Sequence, residues 1–168
     1  MKKLSVLLCL IVSLSSIAKL DKIIVNKSKR EMQLIEDGKI KYRFKVMLSR
    51  QAIGPKRQEG DNKVPEGKYL LNWQNKKSKY YKSIHINYPT EKDIQKSKKL
   101  GIDNPGGEIF IHGMPNELAI PISNQFAVKE FMYMFGIDWT KGCIALRDRE
   151  LDIVWDEYYH GLPLIINP

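Results

Sequence analysis

The stretch DWTKGCIAL, from Asp138 to Leu146, holds one of the two cysteines of the chain; the other, Cys9, falls within the first eighteen residues. A thiol is a nucleophile only as the thiolate, so it needs a base or a positive potential beside it. Three histidines are available to supply the base. His112 closes the run EIFIH and is followed by Gly113, which lets the backbone turn and brings the imidazole to a rim. His85 lies between Ile84 and Ile86 and is expected on the opposite face from them, toward solvent. His160, in YYHGLP, stands at a helix end, where an imidazolium complements the dipole. His112-Gly113 with Gly142-Cys143 is therefore the pair that reads as base and nucleophile. A small buried core thiol is the plain alternative for Cys143. A metal site built from His112, Cys143 and His160 is another, but those spacings match no compact zinc pattern, and no metal is expected.

Residues 1–18, MKKLSVLLCLIVSLSSIA, place Lys2 and Lys3 ahead of an apolar run from Leu4 to Leu14 and end on Ser16 and Ala18. That is the pattern of a secretory signal peptide cleaved after Ala18. The run is shorter than the roughly 18 residues a membrane span needs, and no later segment approaches that length, so no transmembrane helix is expected. Cys9 follows Leu8 inside the apolar run, where a lipobox would have a small residue. With the leader removed, Cys143 is the one cysteine left, and an odd cysteine in an exported protein is a reactive thiol, half of an intermolecular bridge, or a core residue. Lys and Arg number 28 against 19 Asp and Glu, a formal charge of +9. Export argues against nucleic acid, and the lysines of KKSKYYK and QKSKK are scattered like a solvated face rather than arranged as a reader of bases. The partners this charge suits are the anionic polymers and peptidoglycan of a periplasm or cell envelope.

Residues 19–168 contain no repeat and no linker, and form one domain long enough to bury a core without disulfides. KIIVNK (22–27), EMQLIE (31–36) and KIKYRFKVML (39–48) alternate apolar with polar, the last placing Ile40, Tyr42, Phe44, Val46 and Leu48 on one face. Asp37-Gly38 between two of them is a hairpin signal. GKYLLNW (67–73), SIHINY (83–88), EIFIH (108–112) and LPLIIN (162–167) are further strand candidates. Thr90 and Asp93 make a capping box for a helix that stops at Gly101. Asn124 is the expected cap of QFAVKEFMYMF, and Asp148 that of RELDIVWDEYY, whose Leu151, Val154, Trp155 and Tyr158 share a face. The sum is a mainly β fold, a β-sandwich or barrel-like core with about three helical decorations.

IFIHG (109–113) and, after an insert, DWTKGCIAL (138–146) resemble the L,D-transpeptidase catalytic domain, or YkuD, family, whose pattern is His-Gly, a spacer, then Ser or Thr, any residue, Gly, Cys. GPKRQEGDNKVPEGKY (54–69), INYP (86–89) and NPGGEIFIHG (104–113) are similar to further family elements in the same order, so the resemblance runs from Lys22 to Pro168. Many members carry a second His where this chain has Lys141, an Arg at Ala145 and a Thr at Val64; a branch with DWTxGCIA is closer.

The resemblance implies a peptidoglycan L,D-transpeptidase without cofactor. Cys143 would attack the carbonyl between the third and fourth residues of a stem tetrapeptide, release D-Ala and form a thioester, with His112 generating the thiolate and shuttling the proton. Gly113 would orient the imidazole through its carbonyl, and the N–H groups of Gly142 and Cys143 would hold the oxyanion. Thr140, Lys141 and Arg147 are the expected substrate contacts, Lys141 also as a stabiliser of the thiolate. An amine from a neighbouring stem as acceptor gives a cross-link, an envelope lipoprotein gives an anchored protein, and water gives L,D-carboxypeptidase or endopeptidase activity. A non-catalytic envelope-binding module is a further reading; its mark would be loss of the Cys or His, and both are present. The insert from Met114 to Ile137 is either a lid over the site or a helix whose Phe126, Phe131, Met132 and Phe135 pack on the sheet.

Overall fold

Asp37 and Gly38 both take left-handed backbone, with φ of +50° and +71°. That is the conformation of a two-residue hairpin turn, and it folds β2 (Glu31–Glu36) back on β3 (Lys39–Lys45). The computed structural model describes residues 19–119 and 121–168; the leader expected at residues 1–18, with Cys9, lies outside them. β1 (Lys22–Asn26) runs antiparallel to β2. β3 stops at Lys45, short of the expected Leu48, and its apolar stripe is uneven: Ile40 is 45% exposed beside the turn, whereas Phe44, Val46 and Leu48 are buried.

The C-terminal strand β8 (Pro163–Asn167) is inserted in mid-sheet, parallel to β1 and antiparallel to β4 (Gly67–Asn75). β4 serves both halves of the sheet. Gly67–Leu70 pair with β8, and after an irregularity between Leu71 and Gln74 the strand continues along β5 (Ser83–Ile86). β6 (Phe110–His112) lies antiparallel to β5, and β7 (Ile144–Ala145) parallel to β6. β7 was not expected from the sequence, because two residues are too few to show alternation.

The chain leaving β3 then meets β7. Met47 and Ala145 exchange two backbone hydrogen bonds of 2.9 Å, and Leu48 O accepts the N–H groups of Trp139 and Thr140 at 2.9 and 3.0 Å. The chain just past β3 is thereby bridged to β7, the strand at the other end of the eight-stranded sheet, which gives the barrel-like closure. Ile23, Leu34 and Leu164 from one half and Leu71, Ile84, Ile111 and Ile144 from the other meet in one core.

Three helices decorate the sheet among the described residues. α1 (Glu91–Lys99) has the expected reciprocal capping by Thr90 and Asp93. α3 (Asp148–Asp156) buries Leu151 and Val154, but its N-cap is Arg147; the Asp148 carboxylate is turned away to accept Met114 N–H at 2.8 Å. α2 (Ile122–Met134) begins ahead of the expected Asn124 cap, at Pro121, with no side-chain cap. It buries none of its residues fully, and Phe126 and Phe135 are 76% and 68% exposed; of the side chains expected to pack on the sheet only Met132 does so, joining Tyr133 against Met47, Met114 and Ala145.

Polar contacts add to this small apolar contact. Tyr133 OH donates to Glu150 Oε1 at 2.7 Å, and the Arg147 guanidinium lies 3.9 Å from the Tyr133 ring centre while pairing with Glu150 at 2.6 Å and Glu130 at 3.2 Å. Arg147, expected at the substrate, is the pin between α2 and α3. Arg147→Met keeps the aliphatic stem and removes both pairs; it should leave the melting temperature within about 5 °C but accelerate proteolytic cleavage inside residues 118–135 about tenfold. Limited proteolysis read by mass spectrometry checks this, and equal cleavage rates would mean that Arg147 does not hold the helix.

Candidate active site

Each residue of DWTKGC has a definite environment. Asp138 Oδ1 accepts Leu48 N–H at 2.7 Å, and its carboxylate takes a bidentate pair from Arg30, with Nε at 2.9 Å and Nη2 at 2.6 Å from Oδ2. Arg30 sits in the β1–β2 turn with φ +51°, so one carboxylate ties that turn and the end of β3 to the loop entering β7. The Trp139 ring meets His112 edge-on at 5.4 Å. Thr140 is buried; its Oγ1 donates to Cys143 O at 2.8 Å and receives Gly142 N–H at 3.4 Å. Its hydroxyl, expected at the substrate, braces the turn, and Thr140 is not among the residues that line the cleft. Lys141 is exposed.

Gly142 has φ +126°, and a Cβ there would stand 2.8 Å from Lys63 O. That carbonyl cannot retreat, because the loop carrying it is pinned twice. The buried Lys27 Nζ donates to Gly54 O at 2.8 Å, Val64 O at 3.2 Å and Glu66 Oε1 at 2.7 Å. Asp61 accepts from Arg57 N at 2.8 Å, Lys63 N at 3.0 Å and Lys56 Nζ at 2.9 Å. The segment GPKRQEGDNKVPEG is thus a bed for the Gly142-Cys143 turn.

His112 is buried at the end of β6, with Nδ1 2.7 Å from Gly113 O. A carbonyl can only accept, so Nδ1 carries the proton and Nε2 is the bare nitrogen. Tyr80 stacks on the ring at 4.6 Å and Trp139 closes its edge. Burial, partly opposed by the Gly113 hydrogen bond, lowers the pKa to about 4, leaving the ring neutral near pH 7. Gly113 admits no side chain, since a Cβ would lie 2.5 Å from Asp148 Oδ1 and 2.8 Å from Tyr81 Cβ.

Cys143 is half-buried, with Sγ 3.7 Å from Glu108 O and no hydrogen bond to the imidazole. Burial pushes its thiol up; the Phe110 backbone and Lys56 pull it down, and Glu108 pushes it up again. Lys56 of the bed is thus one cation that favours the thiolate. The resting state is a neutral thiol beside a neutral imidazole.

Cys143 and His112 open on one cleft of about 390 Å³, walled by Lys77, Lys79, Tyr80 and Glu108. The segment KKSKYYK, which reads as a solvated face, supplies this wall; none of the described residues of the 114–137 insert lines the cleft, though Asn116 braces the wall from behind through Ser78 O and Tyr81 N–H. Tyr80, Trp139 and Glu108 were missed by sequence reasoning; the adjacent aromatic pair Tyr80-Tyr81 just before β5 was the available signal. His85 is half-buried between Trp73 at 5.0 Å and Phe110 at 5.2 Å, so aromatic rings cover the face expected to meet water. His160 bonds Asn72 O at 2.6 Å and takes no part in the cleft. Among the described residues no group of three or more His, Cys, Asp or Glu is placed to hold a metal ion.

A profile of the L,D-transpeptidase catalytic domain (YkuD) matches residues 21–166. No curated protein matches the sequence. Among solved structures the chain is similar to Pgp2, a helical cell shape determining protein from Campylobacter jejuni, at TM-score 0.59 and 23% identity, over 89% of this chain and 49% of that one. Bd1075 from Bdellovibrio bacteriovorus follows at 0.56 and 19%, over 89% and 48%. An L,D-transpeptidase from Xylanimonas cellulosilytica stands at 0.52 and 12%, over 89% and 61%. The chain spans about half the length of the first two, and at such identities the likeness shows the fold.

Two outcomes follow from the geometry. Gly142→Ala meets both positive φ and the fixed Lys63 carbonyl, and should cost about 2–4 kcal/mol in urea unfolding; a loss below ~0.5 kcal/mol would mean the bed yields. The lowered pKa of His112 means that below pH 6.5 the unfolded chain binds a proton that the native ring refuses. Stability from this group is full above pH 6.5 and falls as pH drops toward 4, by about 2–3 kcal/mol at pH 4.5. Unfolding free energies at pH 7 and 4.5 should differ less, by that amount, in His112→Gln than in the parent.

Proposed function

The chain belongs to the L,D-transpeptidase catalytic domain family, and from that premise we propose that it is an exported enzyme that uses Cys143 to transfer the acyl group of peptidoglycan stem tetrapeptides. The observation that carries the reading is the bare Nε2 of His112 opening on the same cleft as the Cys143 thiol, each beside a glycine that nothing larger can replace. Residues 1–18 are its secretory leader, 19–168 its catalytic domain, and the periplasm or cell envelope its place of work.

On this reading a stem peptide fills the cleft with the carbonyl of its third residue against Sγ. The thiol proton passes to Nε2 as sulfur attacks, and Gly113 O, bonded to Nδ1–H, supports the imidazolium that forms. The N–H groups of Cys143 and Gly142 receive the oxyanion; Gly142 N–H is held only loosely by Thr140 at 3.4 Å, so it can turn to a stronger acceptor. The imidazolium then protonates the leaving D-Ala amine, and a thioester remains. An amine of a second stem, or of an envelope lipoprotein, completes the transfer. A part in determining cell shape, the role that describes Pgp2, is proposed on the same footing.

Trimming by water, as an L,D-carboxypeptidase or endopeptidase, is the second reading. It is favoured by one observation: no described residue of the 114–137 insert lines the cleft, which leaves water a route to the sulfur. Cys143→Ala should abolish turnover, by about a thousandfold or more, while leaving unfolding free energy within ~1 kcal/mol. Purified protein with disaccharide tetrapeptide, read by mass spectrometry for cross-linked dimer and trimmed tripeptide, measures both readings. Undiminished product from the alanine variant would sink the assignment and return the chain to a binding module.

A further inference from the structure

Glu108 is the one acidic residue on the wall of the cleft, where Lys77 and Lys79 also stand. It is exposed, and among the described residues it has no ion-pair partner despite those neighbours. Its backbone has φ +53°, uncommon for a residue other than Gly, Asn or Asp. The surroundings hold it there: Ile109 O accepts Ile86 N–H at 2.9 Å on one side, and its own carbonyl faces Cys143 Sγ at 3.7 Å. Strained backbone that is kept beside a nucleophile is a pointer to function.

The electrostatics sharpen the question. A negative charge beside a thiol opposes the thiolate, and Glu108 does push the Cys143 pKa upward. For the attack on the donor peptide this carboxylate is a handicap. Its benefit belongs to the second half of the reaction, when the sulfur is a neutral thioester and the incoming amine is a cation at neutral pH.

We propose that Glu108 is the specificity-determining residue for the acyl acceptor: its carboxylate draws a primary ammonium to the thioester and so favours transfer to an amine over hydrolysis. This rests on the thioester reading above. In the step, the acceptor nitrogen bonds to the acyl carbon as the C–S bond breaks. Of the two protons the ammonium sheds, one ends on Sγ and the other leaves through His112 Nε2 to solvent, so an ammonium and a thioester become an amide, a thiol and a proton. Lys77 and Lys79 flank the same space and suit a carboxylate on either peptide, which makes the cleft complementary to a zwitterionic diamino acid.

The test uses the full chain as parent, Glu108→Gln, and Glu108→Asn, whose side chain tolerates left-handed φ and so removes the charge without added strain. Disaccharide tetrapeptide bearing a diamino acid serves as donor and acceptor, with hydroxylamine, neutral near pH 7, as a second acceptor in a parallel arm. In both variants the ratio of cross-linked dimer to trimmed tripeptide should fall about fivefold, the size expected of one partly screened ion pair. The hydroxamate yield should not fall, and alkylation of Cys143 should become faster at a given pH. An unchanged dimer-to-tripeptide ratio, or an equal loss of dimer and hydroxamate, overturns the role of Glu108 while leaving the enzyme reading intact. If the parent forms no Cys143 acyl adduct with the donor, the enzyme reading fails and this inference with it.

Discussion

The Asp138 carboxylate is the contact on which the site hangs. It joins three pieces that are far apart in sequence: the turn after β1 through Arg30, the end of β3 through Leu48 N–H, and its own loop, which carries Cys143 five residues later. Leu48 O in turn takes two N–H groups of that loop, and Met47 exchanges bonds with Ala145. Closing the barrel and placing Cys143 are therefore one event. A half-buried carboxylate with charged and backbone donors is held far more firmly than an exposed pair, and removing one partner would strand the others.

The second constraint is burial of the Cys143 and His112 side chains. Burial keeps His112 uncharged and the Cys143 thiol protonated, so the cleft holds no standing ion pair. Nε2 is free to accept only because Gly113 O has taken the Nδ1 proton, and that carbonyl is available because nothing larger than glycine fits against Asp148 and Tyr81. The remaining charges are set around this neutral centre. Lys56 favours the thiolate and Glu108, on the cleft wall, opposes it.

Three segments do work other than their patterns suggest. The lysine-rich stretch before β5 is cleft wall, because Tyr80 stacks on His112 and carries its neighbours with it. Arg147 and Asp148 are drawn into structural pairs with α2 and with Met114 N–H. α2 itself presents Phe126, Phe131 and Phe135 to solvent, since the packing of Met132 and Tyr133 on Met47, Met114 and Ala145 and the polar contacts of Tyr133 and Glu130 set its orientation.

Much was legible from the sequence alone. Period-two alternation marked most of the strands, Asp37-Gly38 marked the hairpin and Thr90 with Asp93 the α1 cap, because these signals are local and depend only on backbone preference. The spacing of His112-Gly113 and Gly142-Cys143 was equally visible, for glycine beside a reactive side chain is a statement about local space. Tertiary structure alone decided what lies between distant segments: β7 pairing with β6 and with the end of β3, Lys56 as a cation near the sulfur, Tyr80 over the imidazole, and Glu108 alone on the wall. These depend on which side chains the closed sheet brings within a few ångströms, and a one-dimensional pattern does not encode such distances.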